Sequence, residues 1–205
     1  RAYSYFNLIK SFGDFPYYSS TLSMDSEELY KSRTPRQQVI DSVIADLDKA
    51  IEYMASGPVS DGTRLNKEIA QLYKSRVCLY EGTWEKYHNG TVFGVSDPKI
   101  EEYLTMAASA AEDVINSGHY SIYMTDDPDH NYLNLFNQLD YSGNPEILMW
   151  EKYSEKFGDA RLHYHQQDFY LGGDMGFTKS FVDDYLCSDG LPTAISEKYQ
   201  GDTTL

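Results

Sequence analysis

The chain has 205 residues, of which 41% are hydrophobic, and its 17 basic and 32 acidic side chains give a net charge of −15. This length and apolar fraction suffice to bury a core and exclude a disordered or fibrous chain. The acidity argues against nucleic acid as a partner, because a phosphate backbone needs a clustered basic face. No run reaches the roughly 20 apolar residues that span a bilayer, and the N-terminus lacks a signal-peptide layout, so any export signal or anchor is expected outside this chain.

The first two predicted helices cover residues 1–12 and 34–55. Apolar residues recur at intervals of three and four in both segments, which is the period of one helix face. Gly13 ends the first helix. Thr34, followed by Pro35 and Gln37, predicts a capped start for the second, which Gly57 and Pro58 end.

Two further helices are predicted at residues 66–81 and 98–117. Asn66 is the expected N-cap of the third helix, and Gly82 is expected to end it just before Trp84. The fourth helix is rich in alanine, which implies a close helical neighbour, and it ends at Gly118.

The first and third helices resemble each other in sequence. "RAYSYFNLIKSFGDFP" and "IAQLYKSRVCLYEGTW" share small, aromatic and aliphatic positions, and each has a glycine followed by an aromatic residue. This internal repeat of two helix pairs resembles a degenerate tetratricopeptide repeat. Trp84 is then interpreted as a packing aromatic of the hairpin rather than a ligand platform. The two hairpins are expected to share one core, which buries Ala70, Val77, Ala107 and Ala111.

The sequence changes character beyond residue 120. Residues 145–150, "PEILMW", form a short apolar run that is typical of a buried strand, and a short helix follows an aromatic-rich loop. The predicted fold is therefore mostly α. Residues 1–120 form a tetratricopeptide-like scaffold with inserted loops, and residues 121–205 form a loop-rich region with a minor strand, incomplete at its C-terminus.

The ordered segments resemble the SusD/RagB family. The resemblance rests on the repeat sequences above and on "RTPRQQVIDSVIADLDKAI", "NPEILMW" and "TKSFVDDYLCSDGLP". It implies an internal fragment of a nutrient-binding, usually glycan-binding, lipoprotein at the surface of the outer membrane, held there by an N-terminal lipid absent from this chain. It also implies a SusC-like TonB-dependent transporter as partner. No site residue is carried over, because binding residues in this family vary with the nutrient.

The sequence contains little that indicates catalysis or metal binding. No nucleophile, zinc-hydrolase or nucleotide motif is present, so no catalytic residue and no cofactor is predicted. His163 and His165 lie on one side of an extended segment but lack a third ligand. Asp126, Asp127 and Asp129 lack the glycine and terminal glutamate of an EF-hand loop, and a solvated acidic turn is expected. No metal site is predicted.

The candidate ligand site is the aromatic stretch between residues 153 and 170. Sugar rings stack on exposed aromatic faces, and polar side chains bind their hydroxyls. The candidate ligand-binding residues are Tyr153, His163, Tyr164, His165 and Tyr170. The alternative, that these rings cover the core, stays open at this point. The function predicted is non-catalytic nutrient binding; a protein-interaction scaffold is the alternative, and a glycoside hydrolase ranks third.

Overall fold

The computed structural model describes residues 1–152 and 176–201. Backbone contacts divide the chain into two compact units, Arg1–Lys152 and Tyr153–Leu205. The helices of the first unit are α1 (Ala2–Phe12), α2 (Arg36–Tyr53), α3 (Lys67–His88), α4 (Ile100–Asn116) and the short α5 (Asn131–Phe136), with single 3-10 turns at Glu27–Tyr30, Ser60–Gly62 and Pro128–His130. In the second unit the described residues contain α6 (Lys179–Asp183). The mostly α fold is confirmed, while the division into a helical scaffold before residue 120 and a loop-rich region after it stays a prediction.

The four long helices pack in chain order and share one core. α1 packs on α2, α2 on α3 and α3 on α4. The core contains Phe6, Ile9, Val39, Ile40, Val43, Ile44, Leu47, Val77, Cys78, Tyr103 and Ala107. The expectation that both hairpins bury residues together is therefore confirmed for Val77 and Ala107, while Ala70 is buried outside this cluster. Ala111 is only half-buried, and Ala110 takes the buried position instead.

The helix starts show which caps are local and which come from elsewhere in the fold. The Asn66 carboxamide oxygen accepts from the Ile69 N–H at 2.9 Å, which confirms the predicted N-cap of α3. Thr34 does not cap α2. Instead the Arg36 N–H donates to the carboxylate of Asp14 at 2.8 Å, so a residue that follows α1 satisfies the free N-terminus of α2.

The predicted end of α3 at Gly82 is wrong, because the helix continues through this glycine to His88. A Cβ at residue 82 would lie 2.9 Å from Cγ of Leu104 and 3.2 Å from the carbonyl oxygen of Ile100. The glycine is therefore needed for the close approach of α4. It is not equivalent to Gly13, which follows the last residue of α1.

A buried polar cluster joins α2, α3 and the start of α4. Arg36 of α2 forms a bidentate ion pair with Glu81 of α3, and both side chains are at most 5% exposed. One turn later on α3, the carboxylate of Glu85 accepts from the Gln37 amide at 3.0 Å and from the Lys99 N–H at 2.6 Å. Burial raises the pKa of Glu85, although these hydrogen bonds oppose the shift.

The strand predicted at residues 145–150 is not formed. Within the described ranges the structure has no strand, only an isolated bridge between Val59 and Arg64. Since no second strand is available as a partner there, residues 146–149 run irregularly beside α3 and line a groove against it. In the described part of the chain, no helix is both long and apolar enough to cross a membrane.

Candidate functional site

The five predicted ligand-binding residues, Tyr153, His163, Tyr164, His165 and Tyr170, lie outside the described residues. The same holds for the His163 and His165 pair considered as metal ligands. The sequence places Tyr153 directly after Lys152, the last residue of the first unit. The described surface nearest to this stretch along the chain is the segment that contains Trp150 and Lys152.

A tight left-handed turn holds Trp150. Ser60, Asp61 and Gly62 have φ angles of 49°, 57° and 80°. The carbonyl of Gly62 accepts from the Trp150 backbone N–H at 3.0 Å, and the carbonyl of Asp61 accepts from the indole Nε1–H at 2.8 Å. Both donors of this residue are thus satisfied by one turn, and the residue is partly buried.

The surroundings of Trp150 combine a second aromatic ring with a charged pair. Tyr141 lies edge-on to the indole, with ring centroids 5.8 Å apart. The ammonium of Lys152 lies 5.6 Å from the indole centroid and 3.2 Å from the carboxylate of Asp140. Hydrogen bonds from the Ser142 hydroxyl, the Ser142 N–H and Lys152 lower the pKa of Asp140 to about 2. We call Trp150, Tyr141, Asp140 and Lys152 the Trp150 corner.

Trp84 is partly exposed, as Trp150 is, but its indole ring has different neighbours. The Arg36 guanidinium lies 4.2 Å from its ring centroid, and the imidazole of His88 stacks on it at 3.8 Å. Two planar groups so close to one ring cannot share a face, so both faces of the indole are covered. Its Nε1–H is buried without a partner. These contacts support the packing interpretation of Trp84, although it lies inside α3 rather than at a hairpin turn.

A polar hollow of about 340 Å³ lies at the opposite end of α3 and brings a serine, a histidine and a glutamate together. Ser56 donates to the buried carboxylate of Glu68, and Nδ1 of His119 lies 3.1 Å from the same carboxylate and 3.4 Å from the Ser56 hydroxyl. A nucleophilic triad needs serine and acid on different nitrogens of the histidine. Here both face Nδ1, so the cluster does not have triad geometry.

The acidic turn at residues 126–129 forms no metal cage. The His130 imidazole donates to Asp127 at 2.8 Å, and both side chains are exposed. In residues 1–152 and 176–201, no three His, Cys, Asp or Glu side chains are grouped so that they could hold a metal ion. Of the two cysteines, Cys78 is buried, and burial raises the pKa of its thiol to about 11.

Sequence reasoning missed the Trp150 corner because Trp150 ends an apolar run. Such a run predicts burial, and Trp150 is partly buried, whereas Met149 is 51% exposed. The available signal was the pair Asp61 and Gly62, a dipeptide typical of left-handed turns. That dipeptide predicts a turn, but it does not indicate that the turn is hydrogen-bonded to Trp150, which lies 88 positions after Gly62.

Comparison with known proteins gives one similarity. Over 86 residues, which are 42% of this chain, the sequence is 35% identical to SusD-like protein P2 of Formosa agariphila. The matched segment covers 17% of that protein's length. No family model and no solved structure matches the chain. The similarity supports a relation to SusD-like proteins, and the helical scaffold described above agrees with it.

Proposed function

We propose that the protein is a SusD-like nutrient-binding protein that binds glycan at the surface of the outer membrane without chemical conversion. The observation that carries this proposal is the 35% identity to a protein named SusD-like. The packed helical repeats supply the rigid scaffold on which loops can present binding residues. The proposal includes a lipid anchor and delivery of the ligand to a SusC-like TonB-dependent transporter.

In this proposal the binding residues are Tyr153, His163, Tyr164, His165 and Tyr170. The polar and aromatic Trp150 corner directly before this stretch supports the assignment, because it shows aromatic rings beside charged side chains at a solvent-accessible position.

A second candidate is a protein-interaction scaffold. An open groove of about 590 Å³ lies between α3 and residues 146–149, and apolar side chains dominate its lining. Leu72, Leu79 and Met149 are each 45% to 55% exposed in it. Exposed apolar grooves of this kind suit a protein segment.

Calorimetry on the full chain with a panel of oligosaccharides tests the first proposal. We expect binding to at least one glycan without product formation. Alanine at each of the five residues should weaken binding by about 1 to 2 kcal/mol while the melting temperature stays unchanged. Tyr53→Ala is the matched control, since Tyr53 is an aromatic residue that is 80% exposed on α2. Unchanged affinity in all five variants would reject these residues, and a protein that binds no glycan would reject the function.

A further inference from the structure

The two tryptophans of this chain are held in contrasting ways. Trp84 has both ring faces covered and a buried, unpaired Nε1–H. Trp150, which is partly exposed as Trp84 is, has a satisfied Nε1–H, and the ammonium of Lys152 lies 5.6 Å from its ring centroid. A tryptophan that only fills a core does not need its backbone and its indole tied to the same turn. Trp150 is therefore positioned rather than merely buried.

The turn that positions Trp150 adopts an unfavourable backbone conformation. Ser60 and Asp61 are the two non-glycine residues with positive φ among those the structure describes, and they are consecutive. Such conformations are unfavourable for residues with a side chain and persist where the surrounding structure requires them. At Gly62, an added Cβ would lie 3.3 Å from Cδ1 of Trp150. The turn and the indole are thus fitted to each other.

We propose that Trp150 is a sugar-stacking residue and that the Ser60–Gly62 turn is its positioning element. This inference rests on the proposed function and adds a contact that is separate from residues 153–170. The indole offers an apolar surface to the C–H groups of a pyranose ring, and its edge is fixed before any ligand arrives.

The rim of the corner matches the hydroxyl groups of the same sugar. A hydroxyl both donates and accepts, so it is satisfied by a carboxylate that accepts and an ammonium that donates. Asp140 and Lys152 supply this pair, and they are 49% and 58% exposed. The ligand class is therefore a hydroxyl-rich sugar ring whose apolar face lies on the indole.

The test measures tryptophan emission and binding heat on the full chain. In a Trp84→Phe background, Trp150 is the remaining tryptophan, because the chain contains two. The probes are neutral α-1,4-, β-1,4- and β-1,3-linked hexasaccharides and one uronate-containing hexasaccharide. We expect any hexasaccharide that binds to shift the fluorescence emission of Trp150. In the wild-type background, Trp150→Ala should weaken calorimetric affinity for that probe about three- to tenfold without loss of helical signal.

A matched pair of glycine variants tests the positioning role. Gly62→Ala and Gly118→Ala both place a side chain at positive φ, 80° and 70°, but only residue 62 would contact Trp150, since residue 118 has open space around it. Gly62→Ala should weaken binding by a factor similar to Trp150→Ala, while Gly118→Ala should leave it unchanged. Equal effects of the two glycine variants would overturn the positioning role.

The outcomes separate this inference from the proposed function. If the wild-type chain binds a glycan and Trp150→Ala binds it equally well, the inference is overturned and the function stands. If the wild-type chain binds none of the probes and no other glycan, both are overturned. If Trp84→Phe fails to fold, the calorimetric comparison in the wild-type background still decides the outcome.

Discussion

Arg36 and Glu81 form a bidentate ion pair across the interface of α2 and α3. Nε and Nη2 of Arg36 each donate to the Glu81 carboxylate at 2.7 Å, and the glutamate is fully buried. A buried pair of this kind contributes little net stability, because the cost of removing both charges from water offsets their attraction. Loss of one partner is far more harmful than loss of both.

The first prediction concerns this pair. Glu81→Gln should lower the free energy of unfolding by about 3 to 5 kcal/mol, because it leaves the Arg36 charge buried without a counterion. The double variant Arg36→Met with Glu81→Leu should recover most of that loss. Urea unfolding of Arg36→Met, Glu81→Leu and the double variant measures this coupling. A double variant whose loss equals the sum of the single losses would show that the two charges do not interact.

The second prediction concerns Gly82. Alanine in place of glycine normally stabilises a helix interior by about 0.5 to 1 kcal/mol. Here Gly82→Ala should destabilise by about 1 to 3 kcal/mol, since its Cβ would collide with Leu104 and the Ile100 carbonyl of α4. Thermal unfolding provides the measurement. In a Leu104→Ala background the same substitution should be less harmful, and an equal penalty in both backgrounds would contradict the collision with Leu104.

The third prediction concerns Trp84. Trp84→Ala should lower stability by about 3 to 5 kcal/mol, because it opens a cavity beside the buried Arg36 and removes the ring that His88 packs against. Glycan affinity of the folded fraction should stay nearly unchanged. Chemical unfolding and calorimetry on the same sample test both statements. A large loss of affinity in a variant that remains stable would mean that Trp84 is a ligand platform after all.

The fourth prediction concerns the pH dependence due to Glu68. Burial alone would raise the pKa of Glu68, but hydrogen bonds from Ser56, the Gly57 N–H and His119 outweigh it and lower the pKa below its ordinary value near 4.5. A lowered pKa contributes stability above the unfolded value, and that contribution is lost as the pH falls through the folded value. Glu68→Gln should therefore destabilise by about 1 to 3 kcal/mol at neutral pH. The difference in unfolding free energy between wild type and Glu68→Gln should shrink below pH 4.5. Unfolding at several pH values measures this difference, and a difference that stays constant with pH would refute the prediction.

The fifth prediction concerns Glu85, where the sign is opposite. Its pKa is raised by burial, so the folded state holds the proton more tightly than the unfolded state does. The contribution of this group is present below the unfolded pKa and declines as the pH rises through the folded pKa. The stability of wild type relative to Glu85→Gln should therefore fall between pH 4.5 and neutrality. A difference that rises over this range would show that Lys99 and Gln37 dominate over burial.

The helices illustrate how far local patterns reach. The apolar period places α1, α2, α3 and α4, and the local cap at Asn66 follows from a side chain three residues before its donor. The same reasoning misplaces the end of α3, since a glycine that follows an apolar helical pattern is a common stop signal. Only the contact of Gly82 with α4 explains why the helix continues.

The candidate site shows what aromatic content in the sequence can and cannot predict. Aromatic density identifies residues 153–170 as the stretch to test, because exposed rings in a loop need a ligand or a partner. Aromatic density did not identify Trp150, because its proposed role depends on hydrogen bonds to Asp61 and Gly62, which are distant in the sequence. Whether an aromatic residue packs or presents its face depends on what covers it. Trp84 and Trp150 differ in this respect only once the chain is folded.

By itself the sequence determined the helical class, the helix pairs and the acidic, non-nucleic-acid character, because periodicity, caps and charge are properties of neighbouring residues or of the whole composition. The tertiary structure decided the cap that Asp14 provides to α2, the passage of α3 through Gly82 and the exposure of Trp150. Each of these depends on the distance between residues that are remote in sequence. Such distances are set by the packing of the whole core, which no local pattern encodes.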